Sequence, residues 1–196
     1  MIRAILLIFD PGGTWERIVK AKRGPGFVLL VYLLPAVAMS VAGELWGKAH
    51  FGVMQEYEEA APISEKLLAV YGAVQFLTSL VVVILVAVLV KSMAGTFQPR
   101  HTYGQCFKVV AYAFGPFLLL RLADAFPLVN PWLSFSVGII LSQRALYSGI
   151  PQVVDPDPPN AFGLYLTSGL LLTMMAGLAR FFTLLVLHEK IHINIG

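Results

Sequence analysis

The chain closes on the stretch Leu187-His188-Glu189-Lys190-Ile191-His192, in which residues 188–192 spell H-E-x-x-H. On a helix this spacing sets two imidazoles on one face with a glutamate beside them. Such a face can hold zinc and let the carboxylate take a proton from a metal-bound water. His188 and His192 are therefore candidate metal ligands, and Glu189 the candidate base, of a zinc-dependent membrane hydrolase. A zincin-type site needs a third protein ligand, usually downstream, and only Ile193 to Gly196 follow. His50, Glu56, Glu58 and Glu59 are the other candidates, and no spacing aims any of them at the histidine pair. The pattern is better explained as the end of a helix, where His188, Lys190 and His192 suit the negative end of the macrodipole. No nucleophile–base pair, phosphate loop or cofactor motif occurs elsewhere. The expectation is a protein that is not an enzyme, with no catalytic residues, no metal and no cofactor.

What could position those residues follows from composition. Of 196 residues, 58% are hydrophobic and only 13% charged, and the mean hydropathy is +0.77. One soluble core cannot hide so much apolar surface, so the lipid bilayer is the first partner implied. A single cysteine, Cys106, excludes an intrachain disulfide and a cysteine-rich metal site. A net charge of +3 gives no case for nucleic acid.

Five apolar stretches are candidate spans: 26–46, 67–90, 107–126, 132–149 and 161–187. The first, at about 1.5 Å per residue, reaches roughly 30 Å, one hydrocarbon core. The fold class expected is all-α integral membrane: a bundle of five transmembrane helices behind a short amphipathic N-terminal segment. Residues 1–25 form that interfacial segment, 26–187 the membrane domain and 188–196 a short tail. The opening MIRAILLIF is not a secretory signal, because FDPGG follows where small cleavage-site residues belong. It reads as lying on the membrane, with Thr14 capping a second short helix whose basic residues face headgroups. Pro35 is expected to kink the first span.

Orientation follows from Lys and Arg in the loops. Arg3, Arg17, Lys20, Lys22 and Arg23 precede the first span, and Lys91 and Arg100 fall in the loop after the second. Lys48, Lys66 and Lys190 fall on the other side. Seven against three puts the N-terminus in the cytoplasm and, with five spans, the C-terminus outside.

Helices in lipid associate through small residues. Gly169, Thr173 and Gly177 form such a stripe on the last span, Ser134, Gly138 and Ser142 one on the fourth, and Gly72, Gln75 and Ser79 one on the second. Arg121, Asp124 and Arg180 are charges inside or near the spans. Intramembrane charge is expensive and finds a partner, so Asp124 is expected to pair with Arg121, Arg180 or both, the alternative being arginines that reach outward to headgroups. With no run of buried carboxylates visible, an ion relay has little support. Thr102-Tyr103-Gly104-Gln105 fits a capping box opening the third span. Pro151, Pro156, Pro158 and Pro159 predict a rigid connection between spans four and five.

The order TYGQCFKVVAYAFGPFLLL, FPLVNPWL, LYSGIPQVVDPDPPNAFGLYL resembles the Yip domain family, the Ypt/Rab-interacting membrane proteins, in its prokaryotic branch. Lys108, Tyr112 and Pro116, then Tyr147, Gly149 and Pro151, stand at the family's motif positions, and Pro11 and Trp15 match its amphipathic start. The resemblance implies a five-span bundle with a cytoplasmic N-terminus in a prokaryotic cytoplasmic membrane. Eukaryotic members contact Rab-type GTPases. GTPase binding is not carried over to this chain, which has only about 25 residues before its first span and reads TFQPRHTYG where relatives often have paired glycines. The expected function is that of a non-enzymatic integral membrane protein that organises partners, other membrane proteins or copies of itself. It would act as a membrane-shaping factor or an accessory subunit of a larger complex. The alternatives are a small transporter with a permeation pathway through the bundle, and the zinc hydrolase.

Overall fold

Pro35 has no N–H to give and crowds the carbonyl four residues back, and the chain answers with a wider turn. In the computed structural model, which describes residues 2–51, 53–55, 58–61, 64–97, 102–126 and 128–187, Pro25–Phe51 is one rod. It comprises α3 (Pro25–Phe27), a π-helical segment Val28–Leu33 just before the proline, and α4 (Leu34–Phe51). Adding a residue per turn accommodates the donor that Pro35 lacks. The rod also runs five residues past the expected end at Trp46, so Glu44 is an interior residue.

A short antiparallel hairpin, β1 (Val53–Gln55) and β2 (Glu58–Ala61), leads to α5 (Glu65–Phe97). Next comes a broken helix. Thr102 caps α6 (Tyr103–Ala113): its hydroxyl accepts from the Gln105 N–H while the Gln105 side chain accepts from the Thr102 N–H. Gly115-Pro116 interrupts the rod and restarts it as α7 (Gly115–Leu120), which tightens into a 3₁₀ turn, Arg121–Ala125. Pro127 then forbids helical geometry at Phe126, whose φ and ψ are −99° and 125°. Two long helices follow, α8 (Pro131–Val153) and α9 (Pro158–Leu187).

Helix continues through Pro151 to Val153, and Pro158 already opens α9. The expected proline-set connection is therefore only residues 154–157, closed by Asp155 at a φ of 52°. Pro151 forgoes one i→i−4 bond inside the last turn of α8, whereas Pro158 stands in the first turn of α9, where no N–H is needed.

The broken helix Tyr103–Ala125 is the axis and the most deeply buried of the long apolar helices. The rod, α5 and α8 surround it, and α9 packs along α5 and α8. Outward-facing side chains such as Leu30, Met39, Leu77, Val81, Leu170 and Phe181 are exposed and apolar, as a lipid-facing surface requires.

The structure adds detail to two expectations at the level of elements. Among the described residues four helices are long and apolar enough to cross a membrane: Pro25–Phe51, Glu65–Gly95, Tyr103–Ala125 and Asn160–Leu187. The expected span at 132–149 is a helix of ample length, but Gln143 and Arg144 at its middle lower its apolarity. The N-terminal segment, expected to lie on the membrane, also packs into the bundle. Helix α1 (Ile2–Phe9) buries Ala4 and Leu7 and turns Ile2, Ile5 and Phe9 outward. Helix α2 (Pro11–Lys20) buries Trp15 and Ile18. Its cap is Asp10, whose carboxylate accepts from the Gly13 N–H at 3.0 Å, while Thr14, the expected cap, is buried inside the helix.

Candidate functional site

Burying a carboxylate in a membrane bundle is tolerable only if its oxygens are fully engaged. Glu44 of α4, 1% exposed, meets that demand. The Tyr71 hydroxyl of α5 donates to its Oε1 at 2.5 Å and the Gln75 amide of α5 donates to its Oε2. Arg121 of the 3₁₀ turn reaches Oε2 at 3.1 Å, and Lys48, one turn along α4, lies 3.3 Å from Oε1. Glu44 thus ties three helices together.

A second centre lies beside it. Arg180 of α9 holds Asp124 Oδ2 at 3.2 Å, and the Ser134 hydroxyl at the start of α8 donates to Asp124 Oδ1. The guanidinium of Arg121 also stands 5.8 Å from the Phe117 ring centroid, and that of Arg180 stands 5.6 Å from that of Trp132. Close approach of α4 to the 3₁₀ turn is permitted by Gly47, where a Cβ would overlap the backbone of Ala125. Arg121 and Arg180 both line a cavity of about 10 Å³ that also touches Ser79 and Thr183. The Nε of each arginine is buried with no hydrogen-bond partner among the described residues.

Of the two partners considered for Asp124, the structure uses Arg180. Arg121, three residues away on the same turn, is taken by Glu44. Glu44 was missed because the first span was ended at Trp46, which left it near an edge. The signal available was the pair Glu44 and Lys48 at i,i+4 inside an apolar run, together with Gln75 on the small-residue face of α5.

The small-residue stripes have distinct contacts. Gln143 of α8 donates to the Gly169 carbonyl at 2.7 Å and to the Thr173 hydroxyl at 2.9 Å, crossing between α8 and α9. Gly138 lies under Phe117 and Leu120, and Ser142 is fully buried. Gly177 is the exception: a Cβ there would meet nothing within 4 Å, so it is not a point of close helix approach. Gly72 abuts Leu45, and the Ser79 hydroxyl donates to the Gln75 carbonyl at 2.7 Å.

The motif positions gather mostly around the N-terminal helices. The Trp15 indole N–H donates to the Ala145 carbonyl at 2.9 Å, and its ring fills the space over Gly149, where a Cβ would lie 2.5 Å from the indole. Tyr112 is buried, accepts from Arg3 at 2.8 Å and packs at a tilt against Tyr32, with ring centroids 4.3 Å apart. Pro116 is buried at the restart of α7. Tyr147 is mostly exposed and meets Tyr165 edge-on at 5.1 Å. Lys108 faces a cleft near α2.

His188, Glu189 and His192 lie outside the described residues. Among the described residues no three His, Cys, Asp or Glu side chains are grouped so as to hold a metal ion.

No curated protein and no solved structure matches the chain. A family model does: the Yip1 domain matches residues 5–181, from α1 into the last turns of α9 and so across both charge centres and the Trp15 socket. With so much of its length matched, this apolar helical chain is an integral membrane protein that belongs to the Yip1 domain family.

Proposed function

We propose that the protein is a non-enzymatic membrane scaffold: a rigid bundle that organises partners in the bilayer, as a membrane-shaping factor or an accessory subunit of a larger membrane complex. The observation that carries this reading is the commitment of the buried carboxylates among the described residues, Glu44 and Asp124, to partners on other helices. Glu44 joins α4, α5 and the 3₁₀ turn, while Asp124 joins that turn, α8 and α9. Charges locked in this way fix helix positions; a catalyst or ion relay needs a group free to change its partner.

On this reading α8 is the fifth span. It lies alongside the axis helix, with Ser134 at Asp124 near one end and Gly149 at Trp15 near the other. The N-terminus is then cytoplasmic and the C-terminus outside. Partners are other membrane proteins or further copies of the chain, held through the exposed apolar faces.

A permeation pathway is the second reading. It is favoured by two buried arginines that line one small cavity in the bundle. Cross-linking in the native membrane, followed by purification in mild detergent, separates the two. The scaffold reading expects a stoichiometric partner or self-complex. A solitary chain that moves a solute across liposomes supports the pathway instead.

A further inference from the structure

The end of α2, the start of α6 and the end of α8 enclose a cleft of about 230 Å³, lined by Ile18, Val19, Lys22, Gln105, Lys108 and Val153. Ile18, Val19 and Val153 form its apolar side, and the other three side chains bring two ammoniums and one amide. Among the described residues no carboxylate forms an ion pair with either lysine. Glu16, the nearest acid on α2, is engaged by Lys20 at 3.6 Å, and the Asp10 carboxylate by the Gly13 N–H. Gln105 turns its Oε1 back to Thr102, leaving its amide N–H groups to donate elsewhere. Lys22 stands at a φ of 46°, a left-handed position at a helix end that is usually left to glycine. Lys108 lies one and a half turns inside α6, about 8 Å from its start. At that depth a lysine stem runs along apolar wall and its ammonium reaches headgroup level.

Two unpaired cations and an amide donor over apolar walls, at the depth of the headgroups, match a phosphate that carries acyl chains. The geometry points to a binding site for an anionic phospholipid in this cleft. Lys22 and Lys108 take the phosphate oxygens, the Gln105 amide donates to a glycerol or ester oxygen, and the chains run along Ile18, Val19 and Val153. A soluble phosphate would use the same cations but would gain nothing from those walls.

The test uses the full chain in mild detergent and native mass spectrometry. Dioleoylphosphatidylglycerol and dioleoylphosphatidylcholine are supplied at equal concentration. The phosphatidylglycerol adduct should dominate. Lys22→Gln and Lys108→Gln should each weaken it about fivefold, the contribution of one cation at a membrane surface. Lys22→Arg and Lys108→Arg should retain it, and Lys20→Gln, outside the cleft, should leave it unchanged. Lys22 is exposed, so its variant reports even if a substitution at Lys108 disturbs folding. Equal retention of the two lipids overturns the proposal, as does a loss no larger than that of Lys20→Gln. Displacement of the lipid by millimolar inorganic phosphate also overturns it, assigning the cations to a soluble anion.

Discussion

Arg180 of α9 and Asp124, 56 positions earlier at the end of the axis helix, stand 3.2 Å apart inside the bundle. Removing one side of such a pair strands the other. Asp124→Ala should lower stability by about 3–5 kcal/mol, whereas Asp124→Ala with Arg180→Ala should recover part of that loss. Lys48→Ala should cost less, because Glu44 keeps Arg121, Tyr71 and Gln75. Thermal unfolding in detergent measures all three, and equal midpoints for Asp124→Ala and Lys48→Ala would sink the idea.

Glu44 and Arg121 make the second pair, with Tyr71, Gln75 and Lys48 also facing the Glu44 carboxylate. Glu44→Gln should destabilise the bundle, and adding Arg121→Gln should restore stability by a coupling of about 0.5–3 kcal/mol. Strict additivity of the two changes in a double-mutant cycle would show that the ion pair carries no coupling.

Gly149 is the floor of the Trp15 socket. Gly149→Leu should overfill it at a cost of about 1–3 kcal/mol and move the indole outward. In a background where the exposed Trp46 and Trp132 are changed to phenylalanine, Trp15 fluorescence reads that displacement directly. An unchanged spectrum would mean that the ring is not seated over Gly149.

Whether α8 crosses the membrane is a question of compartments. A reporter in residues 154–157 should read as cytoplasmic, and one after Gly196 as external. If a reporter between Ala125 and Pro131 shares the compartment of the 154–157 site, α8 does not span.

The H-E-x-x-H stretch makes its own prediction. Protein purified without an affinity tag should carry well under one zinc per chain. His188→Ala and His192→Ala should each change stability by no more than about 0.5 kcal/mol, the scatter of surface substitutions. Two imidazoles supply only half of a tetrahedral shell, and one tightly held zinc per chain by elemental analysis would bring the hydrolase forward.

Local signals in the sequence were legible where local physics decides. Thr102 and Gln105 are three residues apart and cap one helix between themselves, so their pattern shows in isolation. Apolar runs located the helices for the same reason. The charge network was only half visible because Glu44 and Arg121 lie 77 positions apart and meet through a fold, not a spacing. The seat of Trp15 is not visible in the sequence, because an amphipathic helix has the same pattern whether its apolar face meets lipid or a groove. Pro151 reads as part of the connection because its missing donor is visible in the sequence, while the burial of Ile150 and Val154 on either side of it is not.

The Trp15 socket also sets an order of events during synthesis. The indole and the Ala145 carbonyl that accepts its hydrogen bond are separated by 130 positions. A ribosome adding about 5–20 residues per second leaves roughly 6 to 26 s between making one and making the other. Throughout that interval α2 exists without its seat and must wait somewhere. Its sequence supplies a place: Arg17 and Lys20 on one side, Trp15 and Ile18 on the other, suit a helix resting at the bilayer surface. The same apolar face that serves the newborn chain as a float becomes, once α8 arrives, the wedge that closes the bundle.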